Sequence, residues 1–282
     1  MSSAIIDIGS GSVRLLLLGE KKTTVMTKLS EGLDESGVLS PVAMQRTVWA
    51  IKDFAQTARL AGAEVFAFAT EALRVATNRS EFISLVKSEC NLDVEIISGF
   101  EEAEIALLGA CPDGEATVVD IGGASVEIIC GSRSNIDFVK SLPLGMVRLT
   151  EQSDNSPDLI QAYAVRGIGL YGNVPVRDKV IGVGGTFTSL GAMAQGLIKY
   201  DPIAVQNYVL TKETLEKIKD RIISAGSVEK IMEIYPCLPP IRAELIKAGV
   251  IFVCELLDYL GIESITVSEA DNLDGYVKYK GL

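Results

Sequence analysis

The chain has 282 residues, 48% of them hydrophobic and 22% charged, and carries a formal net charge of −11 without a single histidine. That length and apolar content allow a substantial core, in one large domain or two smaller ones. The absence of histidine excludes Ser-His-Asp and Cys-His catalysis, His-ligated zinc and phosphohistidine intermediates, and the acidic balance argues against nonspecific binding of nucleic acid or an anionic membrane.

The chain opens on Ala4-Ile-Ile-Asp-Ile-Gly-Ser-Gly-Ser-Val-Arg-Leu-Leu-Leu-Leu18. An apolar run leads into Asp7-x-Gly9, crosses small residues and returns to an apolar run, which predicts two buried strands around a tight turn. Residues 23–28 predict another strand and 30–36 a polar loop. A helix is expected from about 40 to 61, because Met44, Val48, Ile51, Ala55 and Ala58 recur at alternating spacings of four and three, and Gly62 stops it. A short buried strand at 65–69 delivers the chain to Thr70-Glu-Ala-Leu-Arg74. Asn78 with Glu81 predicts an N-cap and its reciprocal partner, opening a helix to about Cys90.

The strand at 94–97 runs into Ser98-Gly-Phe-Glu-Glu-Ala103, where Ser98 and Glu101 have capping-box spacing. Glu101 therefore has a structural task, whereas Glu102 is left in the first turn of a helix beside another carboxylate. Like charge raises its pKa and the helix N-terminus lowers it. The bland alternative is that acids simply favour first turns.

Cys111-Pro-Asp-Gly-Glu115 is a turn-rich link and the expected boundary between halves. Beyond it, Thr117-Val-Val-Asp-Ile-Gly-Gly-Ala-Ser-Val-Glu-Ile-Ile-Cys130 repeats the opening segment. Asp120 matches Asp7, Gly122 matches Gly9, Ser125 matches Ser12, and Glu127 stands where Arg14 does. One Asp-x-Gly turn is unremarkable, since such turns join strands everywhere, but two copies in register point to a duplicated hairpin. Gly and Ser let backbone N–H groups approach an anion closely, and an Asp at the strand end can hold a divalent metal, so each copy reads as part of a phosphate site.

Strand character at 138–142 is expected to continue into Pro143-Leu-Gly-Met-Val-Arg-Leu149, followed by a helix at about 158–171. At 179–192 an apolar strand breaks into Gly-x-Gly-Gly-Thr (182–186) and continues as a helix, a ready anion or nucleotide site that lacks the dinucleotide fingerprint spacing. Residues 211–224 predict a solvated amphipathic helix with Leu215, Ile218 and Ile222 inward. Pro240 opens a long apolar helix to Leu260 that Gly261 closes. A last strand covers 262–267, and periodicity does not place the tail at 276–282.

Five cysteines, Cys90, Cys111, Cys130, Cys237 and Cys254, are odd in number, widely spaced and mostly set in apolar runs, as small buried hydrophobes of a reducing compartment are. No apolar run is long enough to cross a bilayer and Met1-Ser-Ser opens no signal segment, so a cytoplasmic location is expected.

Taken in order, Asp-Ile-Gly-Ser-Gly-Ser (7–12), Ala-Thr-Glu-Ala-Leu-Arg (69–74), Ser-Gly-Phe-Glu-Glu-Ala (98–103), Asp-Ile-Gly-Gly-Ala-Ser-Val-Glu (120–127), Leu-Pro-Leu-Gly-Met-Val-Arg-Leu (142–149) and Gly-Val-Gly-Gly-Thr (182–186) resemble the exopolyphosphatase / guanosine pentaphosphate phosphatase (Ppx/GppA) family over nearly the whole chain. The resemblance implies an α/β, actin-like ATPase fold made of two ribonuclease-H-like βββαβα domains with phosphates bound in the interdomain cleft. The expected domains are 1–113, with its completion by 272–282 left open, and 114–271. By position it makes Glu102 the catalytic base that orients or deprotonates the attacking water, Asp120 and Glu127 the Mg²⁺ ligands, and Arg74 a phosphate ligand. Asp7, Gly9, Ser10, Gly11, Ser12, Gly122, Gly123, Ala124 and Ser125 line the cradle, with Gly184, Gly185 and Thr186 as a further binding turn. Arg14 and Arg148 are open between site and structural anchor. The implied substrates are polyphosphate and guanosine penta- or tetraphosphate, with no nucleic acid or membrane partner and a homodimer left open.

Three departures bear on activity. The family usually has Asn at position 11, Gly at 124 and Thr at 126, where this chain has Gly11, Ala124 and Val126, and the valine is expected to remove a hydroxyl beside the metal. The ending Ser268-Glu-Ala-Asp-Asn-Leu-Asp-Gly275 is a degraded form of the family's, and the HD-type domain of longer members is missing, so a weaker grip on long polyphosphate is expected. A nucleotide- or alarmone-binding sensor without catalysis, and a small-molecule kinase of the same superfamily, are the competing readings.

Overall fold

The computed structural model describes residues 2–20, 22–111, 113–133 and 135–282, and the side chain of residue 34 lies outside the description. Its contacts divide the chain into Met1–Gly109 with Asn272–Leu282 (unit 1) and Ala110–Asp271 (unit 2).

Among the described residues, unit 1 is built on a five-stranded sheet: β1 (Ser3–Ile8), β2 (Ser12–Leu17), β3 (Thr23–Met26), β4 (Glu64–Ala69) and β5 (Glu95–Ile96), in the order β3-β2-β1-β4-β5. The helices are α1 (Leu33–Ser36), α2 (Pro41–Leu60), α3 (Glu71–Val75), α4 (Arg79–Cys90) and α5 (Gly99–Ala110), and the last helix of the chain, Asn272–Lys280, returns to this unit. β1 pairs antiparallel with β2 and parallel with β4. Strand residues alternate between two faces. Ile6, Ile8 and Val13 pack with Val48, Ile51 and Phe54 of α2 and Phe82 of α4, while Ile5, Leu16 and Phe68 pack with Ile105 of α5 and Tyr276. α2 fulfils its predicted face, since Met44, Val48, Ile51, Ala55 and Ala58 are all buried and Ser40 caps the helix through the Ala43 N–H.

Unit 2 repeats the scheme with β6 (Glu115–Ile121), β7 (Val126–Ser132), β8 (Asn135–Leu142), β9 (Val180–Val183), β10 (Val209–Thr211) and β11 (Ser264–Val267), in the order β10-β11-β9-β6-β7-β8. Its helices are α6 (Met146–Gln152), α7 (Pro157–Ile168), α8 (Gly185–Ala194), α9 (Pro202–Val205), α10 (Lys212–Ala225), α11 (Val228–Ile234) and α12 (Pro240–Leu260), and the helix at Asn272–Lys280 is α13. β6 is antiparallel to β7 and parallel to β9, β7 is antiparallel to β8, and β9 is parallel to β11. Reading β8-β7-β6-β9-β11 therefore reproduces β3-β2-β1-β4-β5 in order and sense, with β10 added at the edge. This is the duplicated ribonuclease-H-like, actin-like α/β fold. α12 is the central helix of its core: Pro240 starts it, Gly261 in the left-handed region ends it, and Ile246, Val250, Phe252, Val253 and Leu257 are buried in it. Each such large apolar side chain contributes about 1.5–3 kcal/mol on burial.

Two local expectations are corrected. Asn78 does not cap α4 with its side chain; its amide instead accepts from the Leu39 N–H at 2.8 Å and donates to the Leu39 carbonyl at 3.0 Å. A two-bond clasp on the loop before α2 outcompetes a single cap bond. Strand character also does not continue through 143–149, because β8 stops at Leu142 and Met146–Gln152 is helical. Among the described residues, no helix is long and apolar enough to cross a membrane.

Candidate active site

In unit 1 the hairpin tip spans residues 9–12, closed by the Ile8–Val13 pair and a 2.9 Å bond from the Gly9 N–H to the Ser12 carbonyl. Its carbonyls face inward. The Gly11 oxygen accepts from Thr27 and Lys28 N–H groups at 3.0 and 2.9 Å, and the Ser10 oxygen from the Ser30 N–H at 3.0 Å. Among the described residues, the N–H groups of Ser10 and Gly11 donate to nothing, which leaves them for an anion. Asp7 and Arg14 are register partners on β1 and β2. The Asp7 carboxylate is only 2% exposed and receives both Nε, at 3.0 Å, and Nη2 of Arg14.

β4 delivers Arg74 in the last turn of α3, and β5 delivers Glu102 in the first turn of α5. Arg74 Nη1 donates to Glu102 Oε2 at 2.6 Å and to the Ile97 carbonyl at 3.1 Å. Nε and Nη2 of Arg74 have no partner among the described residues, so part of its donor fork remains for a ligand. The helix start is fixed by the predicted capping box: the Ser98 N–H donates to Glu101 Oε2 at 2.8 Å, and the Glu101 N–H donates to Ser98 Oγ at 3.2 Å. Hydrogen bonding to the Ser98 backbone N–H, and then to the Ser98 side chain, holds the Glu101 carboxyl below its ordinary pKa.

In unit 2 the same tip recurs at 122–125, closed by the Ile121–Val126 pair and a 3.0 Å bond from the Gly122 N–H to the Ser125 carbonyl. Here the carbonyls bind the start of α6. Gly122, Gly123 and Ala124 oxygens accept from the N–H groups of Met146 (3.0 Å), Val147 (2.9 Å) and Gly145 (3.0 Å). The orphan donors of α6 are thus satisfied by the turn. The N–H groups of Gly123, Ala124 and Ser125 donate to nothing among the described residues. Gly145 has to be glycine, since any Cβ there would collide with the Gly123 and Ala124 backbone.

Asp120 and Glu127 are register partners, two carboxylates placed across the ladder where the first hairpin has Asp7 and Arg14. Ser141, the partner of Glu127 on β8, donates its hydroxyl to Glu127 Oε1 at 2.6 Å. The turn after β9 closes on the same corner: Gly184, at φ +94°, lies so that a Cβ would come 3.0 Å from Asp120 Oδ1. A Cβ on Gly185 would strike the guanidinium of Arg242, which stands in the first turn of α12. Thr186 is buried with its methyl against Gly249. Among the described residues no cluster of three or more His, Cys, Asp or Glu could hold a metal. Mg²⁺ does not require one, because it takes one or two carboxylates with water and substrate phosphates completing its shell. Two carboxylates in register across one ladder are an all-oxygen donor set of the kind Mg²⁺ takes, so the residues present fit that ion.

Val126 corrects a further expectation. Asp120 and Glu127 share one face of the sheet, so their neighbours Ile121 and Val126 face the other, and both are buried in the core. The valine removes no hydroxyl from the carboxylate pair. Gly145, Ser141 and Arg242 were not singled out from sequence; only Gly145, inside the Leu-Pro-Leu-Gly motif, had a local signal. All five cysteines are buried and free, and burial pushes the thiols of Cys90, Cys130, Cys237 and Cys254 up, away from nucleophilic use.

The chain is 33% identical over 296 residues to Exopolyphosphatase 2 of Mycobacterium tuberculosis, covering 96% of this chain and 92% of the relative. The crystal structure of the Aquifex aeolicus Ppx/GppA family member matches over 100% of this chain and 97% of its own, with a TM-score of 0.83 and 30% identity. An exopolyphosphatase from Cytophaga hutchinsonii matches at TM-score 0.84 over 100% and 99% of the two chains, and at 23% identity it supports the fold. The family model described as Ppx/GppA phosphatase matches residues 4–275, and with these relatives it establishes that the chain belongs to the Ppx/GppA phosphatase family.

Proposed function

We propose that this phosphoanhydride hydrolase is an exopolyphosphatase that releases the terminal phosphate of polyphosphate, with guanosine pentaphosphate as its other candidate substrate. The observation that carries the reading is the Arg74–Glu102 pair at the start of α5. A carboxylate held at a helix start by an arginine with donors to spare suits a water beside a phosphoryl group. Phosphoanhydride hydrolysis is mostly positioning plus stabilisation of charge on the transferred oxygens, so no histidine or covalent nucleophile is needed.

In this reading Glu102 orients the attacking water and takes its proton, while the spare N–H groups of Arg74 bind the terminal phosphate. Asp7 acts through Arg14, keeping that guanidinium at the hairpin tip. The N–H groups of Ser10, Gly11, Gly123, Ala124 and Ser125 bind phosphate oxygens, and Arg242 adds charge at the Gly184–Gly185–Thr186 turn. Asp120 and Glu127 hold Mg²⁺, which supplies positive charge to the phosphoryl oxygens when bound.

Phosphate release from polyphosphate, guanosine pentaphosphate and ATP, measured with and without Mg²⁺, checks the assignment. Release from polyphosphate only when Mg²⁺ is present is the expected result. Tight nucleotide binding with no hydrolysis at any Mg²⁺ concentration would replace the enzyme with a sensor.

A further inference from the structure

The C-terminal helix α13 enters unit 1 directly after the last strand of unit 2, and it meets α5 at three places. At the start of α5, Tyr279 Oη donates to Glu101 Oε1 at 3.4 Å, so the capping carboxylate is bonded on one oxygen by Ser98 and on the other by Tyr279. In the middle, Gly275 lies flat on the Ile105 carbonyl, where any Cβ would collide, and that Cβ would also sit 3.1 Å from the Gly109 nitrogen. At the end of α5, Lys278 Nζ donates to the Leu108 and Gly109 carbonyls at 2.9 and 3.3 Å. Those are among the carbonyls that a helix leaves without an internal partner, and they lie at its negative end.

α13 is itself referenced to the sheet. The Tyr276 ring stacks on Phe68 of β4 with centroids 4.5 Å apart, and its hydroxyl donates to Glu95 at 2.7 Å. Leu273 and Tyr276 share one buried cluster with Ile5, Leu16, Phe68, Ile97 and Ile105. β4 leads straight to Thr70 and α3, which carries Arg74. Both members of the Arg74–Glu102 pair are therefore indexed to Phe68: Arg74 along the chain, Glu102 through α13 and α5.

We propose that α13 positions Glu102, with Gly275, Lys278 and Tyr279 as positioning residues that fix the axial setting of α5 against Arg74. The inference rests on Glu102 being the base. Near-attack geometry is steep in distance, and an offset of about 1 Å costs about 10²-fold in rate. The carbonyl contacts of Gly275 and Lys278 set where α5 sits along its axis, beyond what the helix's own cap determines.

The test uses the full chain with Tyr279→Phe, Lys278→Met and Gly275→Ala, each alone and combined with Glu102→Gln, and reads kcat and KM on polyphosphate. Alone, the first two are expected to lower kcat about 3- to 10-fold and Gly275→Ala about 10²-fold, with KM within about twofold. In the Glu102→Gln background each is expected to add less than about twofold, because the group they position no longer acts. Lys278→Arg, which keeps a donor for the two carbonyls, is expected to stay within about twofold of wild type. Equal losses in both backgrounds, or unchanged kcat in both Tyr279→Phe and Lys278→Met, overturn the proposal. Undiminished turnover in Glu102→Gln alone overturns the base assignment, and the positioning role with it.

Discussion

Glu102→Gln is expected to lower phosphate release from polyphosphate by about 10²–10⁴-fold, the range for removing a general base. The substitution keeps the size and an oxygen acceptor for Arg74 Nη1, so the 2.6 Å contact at the start of α5 has a neutral counterpart. Stability should change little, since Glu102 is not the capping residue; Glu101 and Ser98 make the box. Polyphosphate affinity should persist as well, because the turn N–H groups and arginines are untouched. A lower kcat with KM nearly unchanged is the signature of an interaction made in the transition state. Turnover equal to wild type would remove Glu102 from the chemistry.

Glu127→Gln has the second large expected effect, read both in turnover and in the response of stability to Mg²⁺. Turnover in Mg²⁺ should fall about 10²–10³-fold, the scale of losing one preorganised electrostatic partner of the transition state. The variant should also lose part of the stabilisation that Mg²⁺ gives wild type, because one of the two carboxylates in register on β6 and β7 becomes neutral. Chemical denaturation with and without Mg²⁺ checks this: the cation should stabilise wild type more than the variant, as binding to the native state alone requires. Equal stabilisation of wild type and variant by Mg²⁺ would mean that Glu127 does not hold the cation.

What could be read from the residues was local or repeated. The two hairpins share Asp-Ile-Gly-x-x-Ser-Val, so each copy supported the other, and the structure gives both tips the same closing bond from Gly9 or Gly122. The Ser98–Glu101 box and the Pro240-to-Gly261 helix were legible because capping chemistry acts within a turn. The misses were settled by distant partners. Asn78 has cap spacing but clasps Leu39, thirty-nine residues away. The helix at Met146–Gln152 starts in an apolar, proline-led stretch whose strand pattern is overridden once the turn at 122–124 satisfies its first N–H groups. Val126 could have been placed from alternation alone, since a residue next to Glu127 must face the other way. Arg242 carried no such signal, because nothing near it in sequence says that it meets Gly185, and for 272–282 the resemblance implied a return to the first half but not the contacts of α13 with α5.

The central claim is that the solvent oxygen is delivered to the terminal phosphorus. Hydrolysis of polyphosphate in ¹⁸O-enriched water, with the released phosphate analysed by mass spectrometry, tests it most closely. The account predicts one solvent oxygen in each phosphate released in the presence of Mg²⁺. Released phosphate that carries no solvent oxygen would contradict it, by placing the attack on the neighbouring phosphorus or the transfer on another acceptor.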